Sequence, residues 1–422
     1  MDRSRPRTDQ PGRWEGWVLR NVIDVYLAKR DSPGDEAYAT LSLPAAPYAI
    51  LDALEKIRPD GPDDVDLAVE EYHGFSYLAP YILPQPDLYG LNALAEKLSG
   101  LNEYEATAFH GLVKMEAGKQ NGQLSLQRLL DLAYSTDCCH VVADVLNYSQ
   151  LGRFYAENGF VPEVENLSDE AFDLLDFELI GRRMKSGEDG VFMEHSADEP
   201  GGYVVRHEDL RQAPPIPTGP PQKPDYVFRL NLRLLPAIPA PPDRKKLVEI
   251  SLPTSEKQIM SALDSLGASG LDDTMCAILD GPLPGMRSEI FAGNEILLVN
   301  ELAGRLRDMS GKDLGVLKAV MEEVGFDTLD GVIELAGRTD EYIFEPDIRG
   351  VEQAAEAELN AILGEKDAGL IIQHLNLYAY GKALLEQENA AITPYGRLQR
   401  RDGQPIQAME QEPEMGGMEG IE

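Results

Sequence analysis

Apolar and polar positions divide the chain into short elements. Residues 37–43, Ala-Tyr-Ala-Thr-Leu-Ser-Leu, alternate with a period of two and predict a strand. Pro44 and Pro47 end that pattern and open a helical one over 48–57. Residues 14–27 mix both periods and read as a helix, or as a strand joined to a helix. A helix pair follows over 89–101 and 103–118, with Asn102 placed to cap the second. Residues 124–134 predict another helix, then an extended segment and a last helix before a Gly-rich end. Ser168 starts a further helical stretch as its N-cap. On that stretch Asp169, Asp173 and Asp176 fall at i, i+4 and i+7 on one face. Phe172, Leu175 and Leu179 lie off the stripe, toward a core.

The pattern recurs. Leu41-Ser42-Leu43-Pro44 matches Ile250-Ser251-Leu252-Pro253, and Ile50, Ala53 and Leu54 match Ile259, Ala262 and Leu263 at the same offset of 209. The run from Leu91 to Leu98 matches that from Val299 to Leu306 at offset 208. Leu132-Ala133 with Thr136-Asp137 matches Leu335-Ala336 with Thr339-Asp340 at offset 203, and Gly181-Arg182 matches Gly381-Lys382 at offset 200. Blocks in one order with a slowly drifting offset imply duplication. Each copy reads as three pieces of about 50–60 residues, too small to bury a large core singly and therefore packed end to end. The expected fold class is α+β: two tandem copies of an elongated module built from small α/β subdomains.

Between the copies, six prolines in residues 214–224 exclude helix and central strand and make a stiff, extended connector. The expected organisation is a basic N-terminal segment over 1–36 and a first module over 37–210. A Pro-rich linker over 211–224, a second module over 225–408 and a disordered tail over 409–422 follow.

Charge changes the picture. The chain of 422 residues carries 73 acids against 38 lysines and arginines, a net of -35. Residues 1–30 are net +3, residues 31–210 net -23, and the remainder net -15. Such a polyanion repels nucleic acid and anionic membranes, and attracts surfaces built to bind phosphate, in a salt-dependent way. Solvation of exposed faces alone is the plainer account of the same acids. Cys138, Cys139 and Cys276 form no disulfide framework or zinc spacing, which fits a cytoplasmic location. No apolar stretch follows the N-terminus as a signal peptide or membrane span would require. Glycine-rich phosphate loops, nucleophile elbows and HExxH are absent, so no enzyme, cofactor or metal is expected.

The acids gather in two groups. Asp60, Asp63, Asp64, Asp66, Glu70 and Glu71 surround one loop and the element after it. Glu163, Glu165, Asp169, Glu170, Asp173, Asp176 and Glu178 make the second, with Asp87, Glu188 and Asp189 as outlying members. Four helical residues rise about 6 Å, of the order of the phosphate spacing along one DNA strand. Asp169 and Glu170 also suit a helix N-terminus without any partner.

Some of these residues resemble a known family. Leu129-Leu130-Asp131-Leu132-Ala133-Tyr134-Ser135-Thr136-Asp137-Cys138, then Val145 and the run from Leu151 to Gly159, are similar to the middle and late parts of the ArdA antirestriction family. Asp176-Phe177-Glu178-Leu179-Ile180-Gly181-Arg182, followed by Gly190-Val191-Phe192, is similar to that family's C-terminal end. Leu377-Tyr378-Ala379-Tyr380-Gly381-Lys382 and Thr393-Pro394-Tyr395-Gly396 echo it in the second copy. The resemblance covers residues 90–210 well and the second copy weakly. It implies an elongated protomer of small α/β domains, usually dimeric, whose surface imitates bent B-form DNA in the DNA-binding groove of a type I restriction-modification enzyme. The tandem copies, the proline linker and the arginines near the N-terminus depart from the family. They suggest an intramolecular pseudo-dimer, or a homodimer, or one half that serves another purpose. The expected function is thus a DNA-mimic antirestriction protein, whose partner is that enzyme or another basic DNA-binding defence protein. The alternative is an acidic, non-enzymatic adaptor or scaffold protein of a mobile genetic element.

Overall fold

The computed structural model describes residues 20–30, 37–82, 86–119, 122–194, 201–239, 244–287, 289–325 and 328–406. The expected tail and the arginines before residue 20 lie outside them. The first half opens with β1 (Ile23–Lys29), which alternates buried Ile23, Val25 and Leu27 with half-exposed residues. It pairs antiparallel with β2 (Tyr38–Leu43) on one side and β3 (Val65–Tyr72) on the other. Helix α1 (Pro47–Ile57) joins β2 to β3, with Pro47 at its first position, where a missing N–H costs nothing. Because β1 is the central strand of this sheet, the first module starts ahead of residue 37 and the expected boundary there is corrected. The alternation of Ile23, Val25 and Leu27 was the part of residues 14–27 that decided the element.

Three helices follow: α2 (Leu88–Ser99), α3 (Glu103–Lys119) and α4 (Leu126–Ala133). Asn102 Oδ1 accepts from Glu105 N at 3.0 Å, and Glu105 Oε2 accepts from Asn102 N at 3.0 Å. This reciprocal pair of caps fixes where α3 begins. The half closes with β4 (Cys139–Ala143), α5 (Tyr148–Glu157), α6 (Asp169–Phe172), α7 (Phe177–Ser186), β5 (Asp189–Met193) and β6 (Gly202–Arg206). These strands form a second antiparallel sheet in the order β4-β6-β5.

The second half runs through the same succession. It comprises β7 (Phe228–Leu234), β8 (Val248–Leu252), α8 (Glu256–Leu266), β9 (Thr274–Asp280), an added β10 (Ile290–Ala292), α9 (Ile296–Asp308), α10 (Gly311–Val324) and α11 (Leu329–Ala336). It then continues through β11 (Tyr342–Glu345), α12 (Val351–Leu363), α13 (Glu365–Ile372), α14 (Leu377–Glu388), β12 (Ala391–Thr393) and β13 (Gly396–Arg400). The sheets are ordered β10-β9-β7-β8 and β11-β13-β12. The molecule is thus α+β, with helices segregated on small antiparallel sheets. Local devices recur as well. Asn92 Oδ1 accepts from Ala45 N at 2.6 Å, and Asn300 Oδ1 accepts from Thr254 N at 2.7 Å, each tying a helix to the loop after a sheet strand. Gly181 and Gly381 both lie where a Cβ would collide with a backbone carbonyl, that of Tyr148 and of Val351 respectively. That close helix crossing accounts for the sequence match around them.

The three pieces expected in each half do not keep separate cores. In the first half α3 lies against the second sheet and also reaches the segment after β3: Phe109 meets Phe75, and Val204 of β6 fills the space where a side chain on Gly111 would sit. One core therefore runs from Val22 to Val204. Among the described residues of this half, the α5–α7 end holds a small cluster of its own, of Val145, Leu151, Tyr155, Val161 and Tyr203. Residues 211–224 form neither helix nor strand and are strapped to α4. Ala213 N donates to Asp131 Oδ1 at 2.9 Å and Ile216 N to Gln127 Oε1 at 3.0 Å.

The halves meet through α1. Asp52, 4 % exposed, accepts from Lys318 Nζ at 3.1 Å, Arg287 Nη2 at 3.0 Å and the Tyr395 hydroxyl at 2.9 Å. Burial pushes the Asp52 carboxyl up, but Lys318, Arg287 and Lys56 together outweigh it and hold the group below the usual range. The N-cap of α1, Ala46, has no side chain able to cap. Asp280 of the other half replaces it, its two oxygens 3.2 and 3.3 Å from Tyr48 N. At the far end Arg349 Nη1 donates to the Lys56 carbonyl at 2.6 Å. An anion thus sits at the helix N-terminus and a cation at its C-terminus, both supplied by the second half.

Candidate interaction surface

The first acidic group lies on β3 and the loop before it. β3 is an edge strand whose Val65, Leu67 and Val69 turn toward the core side while Asp66, Ala68 and Glu70 face solvent. Period-two alternation fixes that separation. Asp60, Asp63, Asp66, Glu70 and Glu71 are exposed and Asp64 is half-buried. Part of their charge is answered locally. Lys29 Nζ lies 2.8 Å from Asp60 Oδ2 and 3.5 Å from Asp64 Oδ2, and Arg30 Nε lies 3.2 Å from Asp66 Oδ1. Exposed pairs of this kind are weak and screened by salt.

The second group is rearranged relative to the expected stripe. The helix begun by Ser168 ends after one turn, at Phe172, and Asp173 is its C-cap. Asp176 instead caps the next helix, accepting from Leu179 N at 3.0 Å. Asp169, Asp173 and Asp176 therefore do not share one helix face, and that expectation is corrected. Aspartate favours caps over helix interiors because its short side chain competes for backbone N–H groups. Leu179, expected in the core, is 64 % exposed, while Phe172 and Leu175 are half-buried. Glu163, Glu165, Asp169, Glu170, Asp173, Asp176 and Glu178 are all exposed. Arg183 lies 3.3 Å from Glu163, and Arg182 lies 2.7 Å from Glu178.

The outlying acids have internal employment. Asp87 caps α2, accepting from Tyr89 N at 3.0 Å. Glu188 accepts from the Tyr155 and Tyr203 hydroxyls at 2.8 and 2.7 Å, and burial together with that carboxylate holds both phenols un-ionised. Asp189 pairs with Lys119 and Arg206, each at 2.9 Å. Glu188 and Asp189 are half-buried and belong to the α5–α7 end rather than to an outer charged face.

Three further groups bear on chemistry. His73 Nε2 lies 2.6 Å from Asp24 Oδ2, and Glu71 lies 3.5 Å from His73 Nδ1. Asp24 Oδ1 accepts from Ser42 Oγ at 2.6 Å and Asn21 Nδ2 at 2.9 Å, so the cluster is a hydrogen-bonded bridge between β1 and its neighbours. Cys138, Cys139 and Cys276 are buried, and burial raises the Cys139 and Cys276 thiols to about 12, far from thiolate chemistry at neutral pH. A cleft of about 280 Å³ runs between the β3 edge, the start of α2 and the linker, lined by Asp63, Val65, Leu67, Asp87, Tyr89 and Ile216.

Sequence reasoning missed Asp52, Asp280, Arg287, Lys318 and Tyr395, which join the halves. The signal was available as a mismatch between aligned helices, where Asp52 faces Ser261 and Tyr48 faces Lys257 at the offset of 209. Among the described residues, no helix is long and apolar enough to cross a membrane. These features define an acidic α+β protein with a charged outer sheet edge and a second acidic region around α6 and α7. No family model matches the chain, and no curated protein is significantly similar to it.

Proposed function

We propose that the chain is a tandem-duplicated, ArdA-like DNA mimic, without catalytic activity, that acts in the cytoplasm. It occupies the DNA-binding groove of a type I restriction-modification enzyme or of another basic DNA-binding defence protein. The observation that carries the reading is collective. The net charge is -35, and of the sixteen acids singled out above all but Asp64, Glu188 and Asp189 are exposed. Many exposed carboxylates acting together give long-range attraction to a phosphate-binding groove, whereas any one of them contributes little. Parallel element order in the two halves supports the duplication. The contact between the halves pairs α1 of one with a different surface of the other, so any inner symmetry is heterologous rather than two-fold.

The test is competition. A type I enzyme bound to a labelled duplex is titrated with the chain at several salt concentrations. Displacement of the duplex that weakens steeply with salt supports the reading. An enzyme that keeps its duplex at low salt overturns it. A second reading, an adaptor of a mobile element, draws on the apolar side chains that α12–α14 leave open, among them Ile362, Leu370 and Tyr378. An adaptor binds its partner indifferently to added DNA.

A further inference from the structure

We infer that the outer edge of β3 is a docking site for an extended, basic strand of a partner protein, which adds to the first sheet by backbone pairing. The second half covers the same edge with a strand. There β10 lies antiparallel on β9, with Phe291 opposite Cys276 and Ala292 opposite Met275. Ile278 N also donates outward to the Glu289 carbonyl at 3.1 Å. In the first half the equivalent edge carries no strand among the described residues, and β3 ends its sheet. The backbone groups that would receive one can be named. Arg30 N donates to the Asp64 carbonyl at 2.9 Å, so Asp64, Asp66 and Ala68 direct their backbone groups inward to β1. Val65, Leu67 and Val69 then turn theirs outward.

The side chains specify the guest. Where β9 carries half-buried Met275 and Leu279, β3 carries exposed Asp66 and Glu70 at the same offset. An acidic, uncovered edge is one way a sheet avoids pairing with copies of itself. By the same charge it selects a strand with lysine or arginine on its solvent face, opposite Asp66 and beside Glu70. On its other face that strand meets the cleft of about 280 Å³, walled by Leu67, Leu88, Tyr89 and Ile216, which takes small apolar side chains. The guest therefore alternates basic and apolar residues. This inference does not require a restriction enzyme: a chain that fails to displace DNA from such an enzyme still takes the strand.

A fluorescent peptide alternating valine and lysine, titrated into the full chain and read by anisotropy, tests the idea. Amide exchange with and without the peptide reports where it sits. The expected result is salt-sensitive binding with new protection at Val65, Leu67 and Val69. N-methylating one edge of the peptide keeps its charge and removes its backbone donors, and should weaken binding roughly tenfold or more. Leu67→Pro removes one outward N–H at a position where an edge strand tolerates proline, and should do the same. If that variant melts early, the exchange data and the N-methylated peptide still decide. Equal binding of parent and N-methylated peptides, or protection confined to the α6–α7 region, overturns the inference.

Discussion

Helices α1 and α8 have the same length, follow equivalent strands and share Ile, Ala and Leu at matched positions, yet they live in different surroundings. α8 caps itself, with Ser255 and Gln258 in a capping box, and presents Lys257, Met260, Ser261 and Asp264 to solvent. α1 has no cap of its own and receives one from Asp280. It buries Tyr48 and Asp52 against the other half. The difference teaches that two halves of like element order are joined through few residues. A carboxylate on one helix, where its counterpart has a hydroxyl, turns an outer face into a joint.

The largest effect should follow from breaking that joint. Asp52→Ala removes the acceptor shared by buried Lys318, half-buried Arg287 and the Tyr395 hydroxyl, leaves Lys318 with Glu55 at 2.7 Å, and should cost about 3 kcal/mol of stability in urea unfolding. An unchanged midpoint would remove Asp52 from the account. Asn92→Ala and Asn300→Ala each free a backbone pair at equivalent places and should cost about 1–3 kcal/mol apiece, nearly equally. A large inequality would break the likeness of the two halves.

Acidification sharpens the same comparison, because the two aspartates of the joint respond in opposite senses. Burial outweighs the Tyr226 hydroxyl, the Tyr48 and Gly281 N–H groups and Arg229, and raises the Asp280 carboxyl above its ordinary 3.8. Protonating Asp280 therefore stabilises the folded chain as pH falls from neutral toward 3.8. Asp52 is held below 3.8, so its contribution persists above that pH and disappears as pH drops through its lowered value. Melting temperature against pH should rise slightly and then fall. Asp280→Asn should flatten the rise and leave the fall. The smallest effect belongs to α8: Ser261→Ala should lie within about 0.5 kcal/mol of the parent.

Much of the helical framework could be read from the residues. The pattern over 48–57 became Pro47–Ile57, where an apolar face follows a proline at the first position, and that over 103–118 became Glu103–Lys119, where the Asn102–Glu105 pair fixes the start. Other features were illegible for physical reasons. Asp176 suits a helix face by spacing and a cap by chemistry, and the cap prevails. Glu188 reads as surface acid until Tyr155 and Tyr203, on α5 and β6, close over it. Asp52 sits in an apolar-face pattern as an ordinary solvated residue, and its hydrogen-bond partners Arg287, Lys318 and Tyr395 lie more than 230 positions away. Local pattern carries elements well, and carries poorly any charge whose partner is remote.

The most direct test of the proposed function measures how affinity for a type I enzyme depends on salt. The parent chain is compared with one in which Asp66, Glu70, Asp169, Glu170 and Asp173 are all changed to lysine. Collective electrostatic imitation of a duplex predicts a steep fall in affinity with salt for the parent, and weak, nearly salt-independent binding for the reversed chain. Equal affinity and equal salt dependence for the two would contradict it.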